Sequence, residues 1–391
     1  MEETVILSAA RTPVGKFGGS FTKTPVTRLG AEVVREAVKR CGVDARQVQE
    51  CMMGIVLPAG VGQNPARQAA IYGGIPEEIG STTVNKVCGS GMKTVMLASN
   101  SIKAGEHDLI VAGGMENMSA APYLLKEARW GFRMNDSSSV DSMVYDGLWD
   151  VFNDMHMGVS GEIVAERFNV TREEADRLAY ESHRKAKQAI DDGSFEEEIL
   201  PIKVRRKKEE LEVKVDEGVR PDVSMEALAK LRPAFKEDGV VTAGNASQIS
   251  DGAAALMVSS RRFADEHGLQ PEATIVDYAT SGTKPEYIME APINCTRKLL
   301  ERNDMTIDDI DLFEHNEAFA TASVAVKREL GVPEKKFNVH GGAVALGHPI
   351  GCSGARVLTT LLYAMKHRGA ETGLATLCLG GGNAVGMIVR R

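Results

Sequence analysis

The clearest hydrophobic pattern lies near the C-terminus, where residues 372–389 carry no charged side chain. This stretch has about the length of a membrane span, but the glycine-rich segment 380–383 divides it into two short apolar runs. The pattern therefore predicts two paired core strands and not a membrane-spanning helix.

A second pattern occupies the middle of the chain. Thr171 and Glu174 have capping-box spacing ahead of a helical pattern that reaches about Asp191, and Gly193 is placed to end that helix. Apolar and polar residues then alternate over 202–215, which predicts a two-stranded ribbon with a charged tip. We expect these amphipathic elements to lie over the core, where they would suit a lid that covers a substrate.

The two halves of the chain resemble one another at a nearly constant offset of about 262 residues. The matched segments are 40–51 with 302–313, 88–95 with 351–358, and 109–114 with 377–382. Ser90 thereby falls on Ser353 and Gly91 on Gly354, in turns that each open a helix. Chance similarity of glycine-rich turns is the alternative, but three segments keep their order and spacing. We infer that one βα-type unit occurs twice.

The repeat also predicts the domain organisation. A chain of 391 residues exceeds what one hydrophobic core usually supports. We predict an N-terminal half over 1–118 that returns at about 248–268, and a C-terminal half over 269–391. Residues 119–247 have no counterpart in the repeat and are predicted to form an inserted domain.

Composition narrows the classes of function. Charged residues make up 26% and hydrophobic residues 43%, which is ordinary for a globular protein. The net charge of −8 argues against binding to nucleic acid or to an anionic membrane. Six cysteines without a CxxC pair fit neither a disulfide scaffold nor a zinc site, so we expect free thiols in a reducing compartment. The apolar run 5–7 follows the first residues directly, leaving no leader segment, and we expect a cytoplasmic location.

Two cysteines lie in separate glycine-rich turns, Cys88 in 87–91 and Cys378 in 378–382. A thiolate is a strong nucleophile, and a thiol of raised pKa can serve as an acid, so the pair points to thioester chemistry. At a helix N-terminus, the thiolate of Cys88 would be stabilised by the helix dipole, and its backbone N–H would be placed to bind an oxyanion. The alternative for either cysteine is packing in the core.

A histidine and an amide lie in two further turns. Glycines flank His348 in 347–351 and let a ligand approach closely, a context that suits a general base. The alternative is an ordinary glycine- and proline-rich turn. Asn316 lies at an apparent strand end, where the alternative to a catalytic role is a cap on the next helix.

Together these segments resemble the thiolase family. The matching motifs, in chain order, lie at residues 8–19, 85–93, 113–119, 241–247, 316–320, 341–351 and 378–382. They cover essentially the whole chain. The resemblance implies an α/β fold with a duplicated five-layer αβαβα core and an inserted loop domain that binds coenzyme A (CoA).

The resemblance also implies an acetyl-CoA C-acetyltransferase, which reversibly condenses two acetyl-CoA molecules to acetoacetyl-CoA and CoA. It implies that His348 takes the proton of Cys88, whose thiolate forms an acyl-enzyme. Cys378 would then remove an α-proton from a second acetyl-CoA. One oxyanion site would comprise His348 and a water held by Asn316, and the other the N–H groups of Cys88 and Gly380.

CoA is implied as substrate and product, with no further cofactor and no metal. The residues that fall where the family lines its pantetheine tunnel are His156, Met157, Arg220, Phe235, Ala243, Ser247, Met289, Ala318 and Phe319. Arg220 is expected to meet a CoA phosphate, and 205–208 is a weaker candidate for that contact. The family also implies a homotetramer, a dimer of dimers.

The chain departs from the family pattern after Met289, where 290–295 replaces the usual Gly-x-Gly-Pro. The acyl-chain limit is therefore open, and a broad-chain 3-ketoacyl-CoA thiolase of β-oxidation is the alternative. Met157 and Met289 favour a narrow pocket and short acyl groups. His315 and Asn383 are further departures, and His315 is placed to affect the orientation of Asn316.

Two other classes of protein stay open from the sequence. A ketoacyl synthase of the same fold would lack the second cysteine, so Cys378 argues against it. A non-catalytic scaffold would be free to lose the acid–base residues, yet all four are present. The physiological direction of the reaction does not follow from the sequence.

Overall fold

The computed structural model describes residues 2–206 and 209–391. Its strands are β1 (Thr4–Arg11), β2 (Gly15–Lys16), β3 (Glu50–Gly54), β4 (Gly80–Val84), β5 (Leu109–Asn117), β6 (Tyr123–Leu124), β7 (Val140–Asp141), β8 (Trp149–Asp150), β9 (Met155–His156), β10 (Ile202–Arg206), β11 (Glu209–Val213), β12 (Ser250–Ser260), β13 (Ala273–Gly282), β14 (Leu312–His315), β15 (Thr372–Leu379) and β16 (Asn383–Arg390). Its α-helices are α1 (Val26–Cys41), α2 (Pro65–Gly73), α3 (Ser90–Ala104), α4 (Ser142–Gly147), α5 (Met157–Arg167), α6 (Arg172–Asp191), α7 (Met225–Ala229), α8 (Arg261–Glu266), α9 (Ala291–Arg302), α10 (Ala320–Leu330), α11 (Ala343–Leu346) and α12 (Ser353–Arg368).

Ten strands form one continuous sheet in the order β14-β15-β16-β13-β1-β12-β5-β3-β4, with β2 paired to β12. The two halves of the sheet meet where β1 pairs with β13 through Val5–Thr274 and Ile6–Ala273. The predicted core strands at 372–389 are β15 and β16, which pair antiparallel. That prediction is confirmed.

The duplication inferred from the sequence is visible in the topology. In the first half, β3 runs parallel to β5, which pairs antiparallel with β12. In the second half, β14 runs parallel to β15, which pairs antiparallel with β16. Helices α3 and α12, which open at the matched Ser90 and Ser353, precede β5 and β15 respectively.

Three apolar clusters divide the core into layers. The central cluster holds the apolar faces of α3 and α12 between the two halves of the sheet. A second cluster packs α1 and α2 on the outer face of the first half, and a third packs α9 on the outer face of the second half. Along β5, Ile110 and Ala112 face the central cluster while Leu109 and Val111 face the outer one, as strand alternation requires. The predicted five-layer α/β arrangement is confirmed.

The two central helices pack against each other through glycines at their N-terminal ends. A Cβ on Gly91 would lie 2.7 Å from the backbone nitrogen of Ala355, and a Cβ on Gly354 would collide with the backbone nitrogen of Met92. Glycine therefore permits a backbone approach that no larger residue allows. This contact brings the segments that lead into both helices to the same end of the central layer.

The segment between β5 and β12 includes the predicted helix and ribbon. Helix α6 begins with the capping box of Thr171 and Glu174 and is followed by Gly193 in the left-handed region, which confirms that prediction. Strands β10 and β11 pair antiparallel, as expected. Residues 207 and 208 at the tip lie outside the described residues.

The ribbon does not have the predicted lid position. Ile202 and Val204 are buried in the outer cluster with α1 and α2. The reason is that one face of β10 is apolar enough to extend the outer core of the first half, and burial there removes that face from water. Within residues 2–206 and 209–391, no helix combines the length and the apolar character needed to cross a membrane.

The glycine contact generates a stability prediction. Gly354→Ala should lower the urea midpoint of unfolding, because the new methyl meets the backbone of α3, which has no rotamer to move aside; we expect a loss of about 1–3 kcal/mol or more. Gly80→Ala is the matched control, since a Cβ there meets nothing within 4 Å. An equal midpoint for the two variants would contradict the close-packing argument.

Candidate active site

A largely apolar cavity of about 250 Å³ lies where the catalytic segments predicted from the sequence converge. Cys88, His348, Cys378 and Gly380 all line it. Cys88 and Cys378 are 290 residues apart in the sequence, so only the tertiary fold brings them together. The arrangement places two thiols and one imidazole around a single apolar space.

Cys88 lies in a turn that the structure holds in a strained form. Val87, directly before it, has φ of 47°, a left-handed value that is a genuine outlier for a β-branched residue. Ser90 stabilises this turn, because its Oγ donates to the carbonyl of Val87 at 2.6 Å and accepts from the N–H of Lys86 at 2.8 Å. The strain therefore aims Cys88 into the cavity just before α3 begins.

Cys88 is a neutral thiol in the resting protein, whereas the sequence predicted a thiolate stabilised by the helix N-terminus. All six cysteines lie in the described part of the chain; five are buried and Cys88 is partly exposed. Burial of its sulfur raises the pKa of Cys88 to about 11, while hydrogen bonds from the N–H groups of Gly380 and of Cys88 itself lower it. Desolvation outweighs these hydrogen bonds in the resting protein, so the thiol form dominates near neutral pH.

Cys378 is the next-to-last residue of β15, and its side chain faces the opposite side of the strand from Leu377 and Leu379. Leu377 and Leu379 point into the central cluster, whereas Cys378 packs with Met289, whose sulfur lies 3.8 Å from its own. Burial raises the pKa of Cys378, and the nearby Cys88 raises it further. A neutral thiol is the form able to donate a proton.

His348 is buried and neutral. Its Nδ1 lies 2.6 Å from Ser353 Oγ, and its backbone N–H donates to the carbonyl of Gln248 at 3.0 Å. Burial lowers the pKa of His348 to about 3, and the positive charge of Arg356 adds to this effect. The ring therefore carries a single proton at neutral pH and has one nitrogen able to accept another.

Asn316 contacts His348 and does not cap the next helix. Its Nδ2 lies 3.4 Å from each ring nitrogen of His348. Helix α10 takes Phe319 as its N-cap without a side-chain bond, so the alternative role as a cap is wrong. Asn316 Oδ1 is buried and has no hydrogen-bond partner among the described residues. A buried amide oxygen of this kind is suited to a bound water or substrate group.

Most of the predicted CoA contacts lie in the wall of the cavity. Those that line it are His156, Met157, Phe235, Ser247, Met289, Ala318 and Phe319. His156 stacks on Phe235 with 4.8 Å between ring centroids, and its Nδ1 accepts from the N–H of Gly158. Arg220 and Ala243 are exposed and lie outside the lining, so their contacts with CoA stay predictions.

The sequence matches known proteins along its whole length. The Thiolase, N-terminal domain model matches residues 4–262 and the Thiolase, C-terminal domain model matches residues 269–391. The chain belongs to the thiolase family. It is 51% identical to an acetyl-CoA acetyltransferase of Cupriavidus necator and 50% identical to a probable acetyl-CoA acyltransferase of Staphylococcus aureus strain COL, with 100% of each chain covered.

A solved structure is also similar. The crystal structure of the Bacillus anthracis acetyl-CoA acetyltransferase superposes with a TM-score of 0.98 at 41% identity, covering 100% of this chain and 99% of that one. The family resemblance predicted from the motifs is therefore confirmed. The thiolase fold brings Cys88 and Cys378 into one cavity.

Sequence reasoning missed several residues that line the thiolase cavity: Val87, Met118, Gly147, Leu148, Ala246, Gln248, Ile249, Ile288 and Ile350. Four of them directly adjoin a predicted residue, namely Val87, Ala246, Gln248 and Ile288, and Ile249 follows Gln248. Gly147 and Leu148 carried no signal, since they are the last residue and the C-cap of the short helix α4. Their position depends on how that helix packs onto the core.

His315, one of the departures from the family pattern, is buried beside the site. Its Nδ1 lies 2.9 Å from Ser323 Oγ, its ring stacks on Phe337, and its Nε2 has no partner among the described residues. Its backbone N–H donates to Asn338 Oδ1 at 2.8 Å. Among the described residues the ring bonds to Ser323 and not to Asn316, so an effect on the orientation of Asn316 stays a prediction.

The buried His315 generates a prediction on pH. Burial lowers the pKa of His315 to about 3 from 6.5. The unfolded chain takes up this proton first, so stability present above pH 6.5 is lost as the pH falls from 6.5 toward 3. Between pH 7 and pH 5, the free energy of unfolding should fall by about 2 kcal/mol more in the natural chain than in His315→Gln. Urea titrations at both pH values test this, and equal pH dependence would contradict it.

Proposed function

We propose that this thiolase catalyses reversible acyl transfer between CoA thioesters, as an acetyl-CoA C-acetyltransferase that joins two acetyl-CoA molecules to acetoacetyl-CoA and CoA. The observation that carries the proposal is that two cysteine thiols, Cys88 and Cys378, and the neutral His348 line one apolar cavity. The names of the relatives from Cupriavidus necator and Bacillus anthracis support the same activity.

In the first half of the reaction, Cys88 attacks the thioester carbonyl of acetyl-CoA. Its proton passes to His348, a new carbon–sulfur bond forms to Cys88, and the bond to the CoA sulfur breaks. Because the pKa of Cys88 is raised and that of His348 is lowered, the neutral pair dominates at rest. The proton therefore moves as the sulfur attacks, and it leaves His348 with the departing CoA thiolate.

In the second half, Cys378 serves as the acid–base residue. Its thiol proton first passes to the neutral His348, and the resulting thiolate removes an α-proton from a second acetyl-CoA. The carbanion attacks the acetyl group on Cys88, so the carbon–carbon bond of acetoacetyl-CoA forms and the bond to the Cys88 sulfur breaks. The released Cys88 thiolate takes the proton from His348, which returns all three groups to their neutral forms. The raised pKa of Cys378 suits this role, because a strongly basic thiolate is needed to accept a proton from carbon.

Two groups of donors are placed for the oxyanions of these steps. The N–H groups of Cys88 and Gly380 already bond to the Cys88 sulfur, so they surround the carbonyl that would be attached there. Asn316 and His348 form the second group, with a water held by Asn316. Removal of one donor of this kind typically costs about 100- to 1,000-fold in rate.

The cavity wall supports a preference for short acyl groups. Met157 and Met289 are both buried and line the cavity together with Phe319. Met289 contacts the sulfur of Cys378, so it occupies the space beside the reacting atoms into which a longer acyl chain would extend. This contact favours acetyl transfer over the broad-chain alternative. CoA enters this scheme as substrate and product.

The experiment follows thiolysis of acetoacetyl-CoA by CoA, together with labelling by radioactive acetyl-CoA. We expect Cys88→Ser to lose the acyl label and more than about 1,000-fold in rate, because the nucleophile is gone. Cys378→Ser should keep the label and lose turnover. Cys41→Ser, a buried cysteine of α1 outside the cavity, is the matched control.

Two results would contradict the proposal. Equal loss of label in both site variants would reverse the assignment of roles, and no thiolysis by the natural enzyme would leave the non-catalytic alternative. A series of 3-ketoacyl-CoA substrates of increasing length should show the highest rate for the four-carbon substrate, while equal rates along the series would favour the broad-chain enzyme.

The same proposal includes assembly into a homotetramer. Segment 123–134 exposes Trp130 at 84% and Met134 at 86%, together with Tyr123 and Phe132, an apolar surface that favours a protein partner. Among the described strands, β4 at the sheet edge pairs only with β3, so its other side offers free backbone groups to a second copy. One surface would form the dimer and the other would pair dimers.

Sedimentation velocity tests this assembly. We expect four chains in the natural protein and two in Trp130→Glu, because a charge at that position opposes burial of the apolar segment. Leu211→Glu, an exposed apolar residue of the ribbon, is the matched control. A monomer at micromolar concentration, or an unchanged tetramer in Trp130→Glu, would contradict the assigned surface.

Two expectations from the sequence remain part of the proposal. The predicted domain limits, 1–118 with the return at 248–268, 119–247 and 269–391, are supported by β12 pairing within the first half of the sheet. A cytoplasmic location is supported by the six cysteines, all in the described residues and all free.

A further inference from the structure

Ser353, a residue with no assigned role in the reaction, contacts the catalytic histidine. Its Oγ lies 2.6 Å from His348 Nδ1 and 2.9 Å from the carbonyl oxygen of Pro349. The side chain is fully buried at the first position of α12. It does not cap that helix, since Cys352 is the N-cap and no side-chain bond is made there.

The two contacts favour Nδ1 as the nitrogen of His348 that carries the proton. The Ser353 hydroxyl donates to the carbonyl of Pro349, which only accepts and which also bonds to the backbone N–H groups of Cys352 and Ser353. With its hydrogen placed there, the hydroxyl oxygen is free to accept, and His348 Nδ1 is placed to donate to it. In a neutral ring this leaves Nε2 with the free lone pair. Among the described residues, no other acceptor bonds to Nδ1, because the nearby Asn316 Nδ2 is itself a donor.

The other half of the duplicated fold uses the equivalent serine in the same way. Ser90 is the first residue of α3, is fully buried, and donates its hydroxyl hydrogen to the carbonyl of Val87 at 2.6 Å. Its oxygen accepts from the N–H of Lys86 at 2.8 Å. Each half therefore places a serine at the start of its central helix that bonds back to the turn carrying a catalytic side chain.

We propose that Ser353 is a positioning residue for the reaction, which holds His348 in the tautomer whose Nε2 accepts the proton of Cys88. The inference rests on the proposed function, because it assigns a further role within the same site. Without the hydroxyl, both neutral tautomers are populated, and the form with a hydrogen on Nε2 cannot accept a proton. Ser353 acts on the reaction only through His348.

The test measures alkylation of Cys88 by iodoacetamide as a function of pH, with the modified peptide quantified by mass spectrometry. No CoA is present, so this readout is independent of the thiolase reaction. For Ser353→Ala we expect the rate at pH 7 to fall by about tenfold or more, since a positioned general base typically contributes 100-fold or more. The inflection should also move to higher pH, because the thiol then ionises without an ordered base.

Two variants calibrate the measurement. Ser353→Thr keeps the hydroxyl and should restore both the rate and the inflection of the natural enzyme. Ser99→Ala removes a fully buried serine of α3 whose hydroxyl bonds to Thr4 at 2.8 Å outside the cavity. This variant should leave the pH profile of alkylation unchanged. If Ser353→Ala does not fold, Ser353→Cys replaces it, since a thiol fills the site but accepts hydrogen bonds weakly.

The outcomes separate the two proposals. A profile of Ser353→Ala, or of Ser353→Cys in its place, that superimposes on that of Ser99→Ala would overturn the inference. So would a lower rate with an unchanged inflection and a lower melting temperature, which is the signature of a structural role. If thiolysis of acetoacetyl-CoA is absent while the alkylation profile shifts as expected, the proposed function fails and the positioning role stands.

Discussion

The close approach of α3 and α12 is the constraint on which the site depends. Gly91 and Gly354 let the two helices meet backbone to backbone at their N-terminal ends. Since the Cys88 turn leads into α3 and the His348 turn leads into α12, this contact brings the proposed nucleophile and the proposed base to one cavity. A larger residue at either position would push the two helices apart, because its side chain would meet the backbone of the other helix. The packing of the central layer therefore controls where Cys88 and His348 lie relative to each other.

Burial then determines the charge state of the site. Desolvation raises the pKa of both cysteines and lowers the pKa of His348, so all three groups are neutral at rest. The backbone N–H groups of Gly380 and Cys88 lower the pKa of Cys88, but they do not outweigh its burial. In the proposed reaction, the site would hold its proton until a substrate carbonyl arrives, and the N–H groups that contact the sulfur would then face the developing oxyanion.

Duplication gave the two halves the same scaffold and different chemistry. Each central helix begins with a buried serine that bonds back to the preceding turn, through Ser90 in one half and Ser353 in the other. In the first half that bond supports the strained Val87 beside Cys88, the proposed nucleophile, and in the second half it reaches the ring of His348. Cys378 shows a similar use of position, because strand alternation turns it away from the central cluster and toward Met289.

The sequence by itself determined the family, the repeat, the capped helix at Thr171 and the four side chains proposed to be catalytic, because these depend on local turns and on motifs of fixed spacing. It could not place the ribbon, which packs on the outer core through Ile202 and Val204, because that choice depends on which apolar surface lies nearby. Nor could it find Leu148 or the role of Ser353, since both act through contacts with residues distant in sequence or across a turn. Tertiary structure decided the protonation of Cys88 as well, because desolvation depends on everything packed around the sulfur and not on the residues beside it.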